Sequence, residues 1–212
     1  KYFEDKDATA DYGLFIKSLS ENGNLQRATE LAESFVKNTA NSNIYAKIAA
    51  LSALTLTIKS GAMPALSKAA FDQNAAYRNA ALNLAAPFVD KSNIGLLTKG
   101  IKNAPVDVQT TLVYFLGNHS DLIPASTLKI IGKFAKQNRH SGLRNAAIMT
   151  LAQSNAPGGA SQLLNVLRSS SESDMNVLTK AFLLLEDKSV VDKILAFLPK
   201  ASGIQKATLL DV

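Results

Sequence analysis

A large aliphatic residue returns six times along this chain in helix-like surroundings: Leu51, Leu82, Leu112, Ile148, Leu178 and Leu209. The steps between them are 31, 30, 36, 30 and 31 residues. Such a step is too long for one helix with its loop and suits a helical hairpin. A lone hairpin leaves its apolar face in water, so hairpins at this rhythm must stack on one another. The spacing therefore predicts an all-α chain, an α-solenoid of about six antiparallel helical hairpins.

The turn-forming residues keep the same beat. A first helix is expected over residues 8–19, with Tyr12, Phe15, Ile16 and Leu19 on one side, inside a capping region 1–24 that precedes a repeat domain 25–212. Hairpins then follow as 25–37 with 44–58, 63–71 with 75–89, 93–102 with 105–116, 124–136 with 142–153, and 160–167 with 173–185. A last pair starts near residue 188, pauses at Pro199 and resumes at Ser202. Ser60–Gly61 reads as a helix end, Pro64 as an opening turn and Pro87 as a bend or stop. The 36-residue step is expected to place extra chain in a longer first helix from Pro124, near Asn118, His119, Asp121, Arg139 and His140. Insertions into a solenoid project from its turns, so a ligand, if the chain has one, is expected near these turns and Arg144 rather than at the regular helix contacts, while a longer first helix without any function is the favoured explanation of the extra chain.

Composition agrees with close helix packing. Of 212 residues, 47% are hydrophobic and only 7% aromatic, which is poor material for a β-sandwich and ample for a helical core. No cysteine is present, so disulfides, thiolate nucleophiles and sulfur-based zinc sites are excluded. The longest uncharged stretch, 145–167, is interrupted by Ser154, Asn155, Pro157, Gly158 and Gly159, and no membrane insertion is expected.

Catalytic signatures are missing as well. The two histidines, His119 and His140, have only Asp121 as a close acidic neighbour in sequence, short of the three convergent ligands a metal needs. Acidic pairs such as Glu4–Asp5 and Glu186–Asp187 sit at segment edges. No nucleophile elbow, Walker motif or dinucleotide glycine pattern occurs. No cofactor is expected.

Three segments carry a family likeness. Tyr77–Arg78–Asn79–Ala80–Ala81–Leu82 and Leu143–Arg144–Asn145–Ala146–Ala147–Ile148 share a charged residue, small residues and then an aliphatic, and Lys47–Ile48–Ala49–Ala50–Leu51 repeats the pattern. They resemble the second helices of HEAT-like, armadillo-type repeats, over roughly residues 25–212. The resemblance implies a right-handed stack used as a scaffold for proteins or peptides, less often for nucleic acid, and only rarely as an enzyme. It also implies a fragment of a larger multidomain bacterial protein, with a catalytic neighbour in the same polypeptide and a periplasmic or extracellular setting ahead of a cytoplasmic one.

The polar residues at equivalent places form the candidate surface. Lys47, Arg78 and Arg144 each stand four residues before their aliphatic anchor, with Lys206, Asn79, Asn83 and Asn145 alongside. Second helices usually line the concave side of a solenoid, so these groups, together with Arg139 and His140, are the candidate binding residues; the favoured alternative is an ordinary solvated helix face whose Arg and Lys stems cover apolar surface. The leading expectation is a non-catalytic scaffold or protein-interaction module. The alternative is a nucleic-acid-binding protein whose basic groove uses Lys47, Arg78, Arg144 and Lys206, in keeping with a net charge of +6.

Overall fold

The computed structural model describes residues 6–137, 140–156, 158–186 and 189–212, and the described residues contain helices and turns but no strand. The chain forms two compact units, 1–99 and 100–212. The first holds α1 (Lys6–Glu21), α2 (Leu25–Asn38), α3 (Ile44–Ile58), α4 (Met63–Ala70), α5 (Ala75–Ala85) and the short α6 (Ile94–Thr98). Here α1 and α2 both pack on α3, α3 packs on α5, and α4 packs on α5 and α6. In this unit α1 also packs on α2.

The second unit holds α7 (Val106–Gly117), α8 (Ala125–Gln137), α9 (Ser141–Gln153), α10 (Gly159–Leu167), α11 (Met175–Leu183), α12 (Val190–Phe197) and α13 (Gly203–Leu210). The odd-numbered helices follow one another, α7 on α9, α9 on α11 and α11 on α13. The even-numbered ones do the same, α8 on α10 and α10 on α12. Cross-packing of α8 on α9 and of α10 on both α9 and α11 joins the two rows.

Helix starts reveal a rhythm more regular than that of the aliphatic residues. Asn43 and Asn74 accept hydrogen bonds from the Ala46 and Tyr77 amides at 3.0 and 3.1 Å, satisfying donors that a helix start leaves open. Ser171 and Ser202 each head a capping box, the first leading through a 3₁₀ turn into α11. With Pro105 and His140 heading α7 and α9, the cap positions are 43, 74, 105, 140, 171 and 202, at steps of 31, 31, 35, 31 and 31 residues.

Counted from the cap, the seventh residue is Ala50, Ala81, Leu112, Ala147, Leu178 and Leu209, and every one is buried. The eighth is Leu51, Leu82, Val113, Ile148, Thr179 and Leu210, buried in the first four but 73% exposed at Leu210. The six aliphatics picked out by spacing are all buried, yet they alternate between two adjacent columns. That alternation is why their steps wander by one.

The long step reduces to four extra residues, close to one helical turn. They enter α8, which runs thirteen residues against eight or nine for α4, α10 and α12. Pro87 and Pro199 fall in 3₁₀ turns that end their helices. Three local expectations need correction. Ile48, expected to be buried as an aliphatic of the Lys47–Leu51 pattern, is half-buried, because it stands five residues after the Asn43 cap rather than seven or eight. Phe15 is 52% exposed while Ile16 is fully buried. The break after α3 is made by Lys59, at φ 50°, two residues ahead of where Gly61 suggested.

Residues 44–70 have the length of a spanning helix and hold an 18-residue window with a mean hydropathy of 1.2. Lys59 and the 3₁₀ turn after it divide the stretch into α3 and α4, and Ala50, Leu51 and Leu54 of α3 lie in the core of the first unit.

Candidate binding surfaces

The fourth residue after each cap is Lys47, Arg78, Gln109, Arg144, Met175 and Lys206. Arg78 is only 3% exposed. Its guanidinium donates to the Asp72 carbonyl at 2.8 Å and the Gln73 carbonyl at 3.4 Å, closing the turn that precedes its own helix. Gln109 is buried and does the same, donating from Nε2 to the carbonyls of Ile101 and Lys102 at 3.0 and 3.1 Å. Carbonyls at a helix or turn end have no partner within the helix, and a buried side-chain donor satisfies them.

Arg144 reaches to a later turn. It pairs with the Asp174 carboxylate at 3.1 Å and donates to the Ser170 hydroxyl at 2.9 Å, tying α9 to the turn between α10 and α11. Asp174 is buried and also accepts from the amide and hydroxyl of Ser171. In the first unit Lys47 plays the corresponding part. Its ammonium sits 3.6 Å from Asp72 and 4.4 Å above the Tyr77 ring, joining α3 to the turn between α4 and α5. Burial first, and the Asp72 carboxylate second, push the Tyr77 phenol above its ordinary pKa. Lys47, Tyr77 and Asp72 also line a cleft of about 520 Å³.

The remaining expected residues scatter. Asn79 and Asn83 are exposed on α5, and Lys206 is exposed on α13. His140 is exposed at the cap of α9, and Arg139 lies outside the described residues. Asn145 is half-buried, and its Oδ1 is enclosed without a hydrogen-bond partner among the described residues. It lines a shallow groove with Tyr114, Met149 and Val177 on the odd-numbered helices. Spacing brought Lys47, Arg78 and Arg144 to equivalent positions, and the structure directs Arg78 to the turn before its own helix and Lys47 and Arg144 to a later turn. Gln109 was missed because counting back from Leu112 lands on Val108, whereas counting from the Pro105 cap lands on the glutamine.

A larger concavity lies on the even-numbered helices of the second unit. It has a volume of about 660 Å³, with Ile123, Leu128, Leu151 and Val166 supplying apolar wall and Gln162 and Asn165 lining it from α10. Lys129, Lys133 and Lys136 line its other side from α8 and make no ion pair with any described residue. Their spacing of four and three residues puts all three on one helix face. Asn165 also lines an adjoining groove between α10 and α12, where Arg168, Lys193 and Lys200 add further positive charge. There Arg168 is held over the Phe197 ring at 5.1 Å and bonded to Asn165 Oδ1 at 3.0 Å.

No protein-family model, curated protein or solved structure matches this chain. Among the described residues, no three His, Cys, Asp or Glu side chains converge as a metal site would require.

His119 stacks on Phe115 with ring centroids 4.8 Å apart, beside the Ser120–Leu122 turn. Desolvation lowers its pKa, and Asp121 offsets this only in part. The folded state then binds this proton less readily than the unfolded chain. Its contribution to stability is complete above the ordinary imidazole pKa and is lost as pH falls from there through the depressed folded value. Urea midpoints measured from about pH 7.5 to 5 should show a fall at the acid end that is smaller in His119→Gln. Identical pH profiles for the two proteins would remove His119 as the source.

Proposed function

We propose that the chain is a non-catalytic interaction module, built in each unit from antiparallel hairpins stacked in the right-handed, HEAT-like manner. The observation that carries this reading is the use made of the repeated polar position. Lys47, Arg78, Gln109 and Arg144 all engage turn carbonyls, turn carboxylates or hydroxyls. Polar groups recurring at the repeat period thus serve the stack itself. What remains open to a partner is concave surface lined by helices whose positions that stack fixes.

A protein or peptide suits this surface better than a nucleic acid. The basic groove imagined from sequence needs Arg78 and Arg144 to face phosphates, yet Arg78 is buried and Arg144 is neutralised by Asp174. Exposed aromatics on which bases stack are also wanting beside Lys129, Lys133 and Lys136, where the lining is aliphatic. A larger polypeptide with a catalytic neighbour remains part of the proposal, with the module acting as that neighbour's docking platform.

The test combines cross-linking mass spectrometry in a cell extract with assays of the purified chain on ester, glycoside and phosphate substrates. The proposal expects reproducible cross-links from a limited set of partner proteins and no turnover. Turnover that survives purification and is abolished by substituting a residue of this chain would overturn it.

A further inference from the structure

We propose that the groove between α8 and α10 binds an acidic, amphipathic peptide segment of a partner protein. The inference rests on the interaction-module reading and adds to it a site and a chemistry. Three independent observations meet here. The groove is the largest of the described concavities, and its walls are mostly aliphatic. One side carries three lysines with no described ionic partner. It is formed by α8, the helix that takes up the four residues breaking the otherwise regular 31-residue rhythm.

Each feature has a physical consequence. A volume of about 660 Å³ accommodates several aliphatic side chains. Burying them against Ile123, Leu128, Leu151 and Val166 provides affinity, as when an amphipathic helix lays its apolar face into a groove. Lys129 and Lys136 are separated along α8 by about 10 Å at 1.5 Å per residue, with Lys133 between them. Carboxylates on successive turns of a helical peptide present negative charge at that same spacing. The lysine stems can cover apolar surface while their ammonium groups meet those carboxylates at the rim.

Gly132 lies in the groove lining between Lys129 and Lys133. A Cβ there would stand 3.6 Å from the Gln162 side chain, an ordinary contact, so glycine is not needed for the packing of α8 on α10. Glycine inside a helix is otherwise unfavourable. Its effect here is to leave room in the groove that a longer side chain would occupy.

The decisive experiment is fluorescence anisotropy with a labelled peptide made of two heptads, each with the sequence Leu-Glu-Glu-Leu-Leu-Glu-Glu. An otherwise identical peptide with lysine in place of glutamate and a labelled oligothymidine serve as comparison probes. Lys129→Glu/Lys133→Glu should weaken binding of the acidic peptide by about tenfold or more. Lys99→Glu/Lys102→Glu changes net charge equally on other surface positions and should alter it by no more than about twofold. Gly132→Leu should weaken binding without reversing any charge. Thermal melts will show whether each variant keeps its fold. Hydrogen exchange on the wild-type complex should then show protection across residues 125–137 and 159–167.

Failure of the acidic peptide to bind the wild-type chain, or equal weakening by both double variants, would overturn the proposal. Tighter binding of oligothymidine with the same dependence on Lys129 and Lys133 would overturn it in favour of a nucleic acid. The broader reading fails differently. Partner cross-links retained by Lys129→Glu/Lys133→Glu would remove this groove while leaving the interaction module standing.

Discussion

Asp174→Ala should destabilise the protein by about 3–5 kcal/mol, the cost typical of leaving one member of a buried ion pair without its partner. The Asp174 side chain is 7% exposed and that of Arg144 15%. Removing the carboxylate strands a largely buried guanidinium whose Nε already lacks a described hydrogen-bond partner. It also deletes the acceptor for the Ser171 amide and hydroxyl at the turn that leads into α11. Lys47→Ala is the informative comparison. Its ion pair with Asp72 is longer, at 3.6 Å, and more exposed, so its loss should cost about 1 kcal/mol or less. Urea unfolding of both variants checks the ranking, and equal losses would contradict the burial argument.

The second large effect tests the register of the core. Leu112 and Leu210 are both leucines in helices of the second unit, one residue apart when counted from their caps. Leu112 is fully buried and Leu210 is 73% exposed. Leu112→Ala should therefore cost about 2–5 kcal/mol, from lost apolar transfer and the cavity left behind. Leu210→Ala should stay within about 0.5 kcal/mol of the parent. Similar denaturant midpoints for the two variants would mean that the buried column has been assigned to the wrong residue.

These two residues also show how far the sequence could be read. The aliphatic recurrence located every odd-numbered helix from α3 to α13, because a buried seam demands apolar side chains at each repeat. It could not fix the column, since Ala50, Ala81 and Ala147 fill the seventh place where the larger Leu51, Leu82 and Ile148 stand next door. Caps carry the truer period, and they are chemically diverse: Asn43, Asn74, Pro105, His140, Ser171 and Ser202 share a backbone role rather than a side-chain type. A search for similar side chains passes over them. The same diversity hid Gln109, which does the work of Arg78 with an amide in place of a guanidinium.

The candidate surface was legible only as a list of cations. Sequence placed Lys47, Arg78 and Arg144 at matching positions but could not say whether they face a partner or the next turn. That depends on where Asp72 and Asp174 come to lie, at sequence distances of 25 and 30 residues from Lys47 and Arg144. Lys129, Lys133 and Lys136 were readable as one helix face. That they make no ion pair with a described residue and lie beside a groove are tertiary facts.

On the proposed function, two sets of cations divide the labour: Arg144 and its equivalents tie helices to turns, and Lys129, Lys133 and Lys136 face a partner. The most direct measurement is to determine, on one set of variants, both the urea midpoint and the affinity for the leucine–glutamate peptide. Arg144→Ala should lower the midpoint and leave affinity within about twofold, whereas Lys129→Glu/Lys133→Glu should lower affinity by about tenfold and leave the unfolding free energy within about 0.5 kcal/mol of the parent. The reverse pattern, with Arg144→Ala abolishing binding in a fully stable protein and the α8 variant binding normally, would contradict this division.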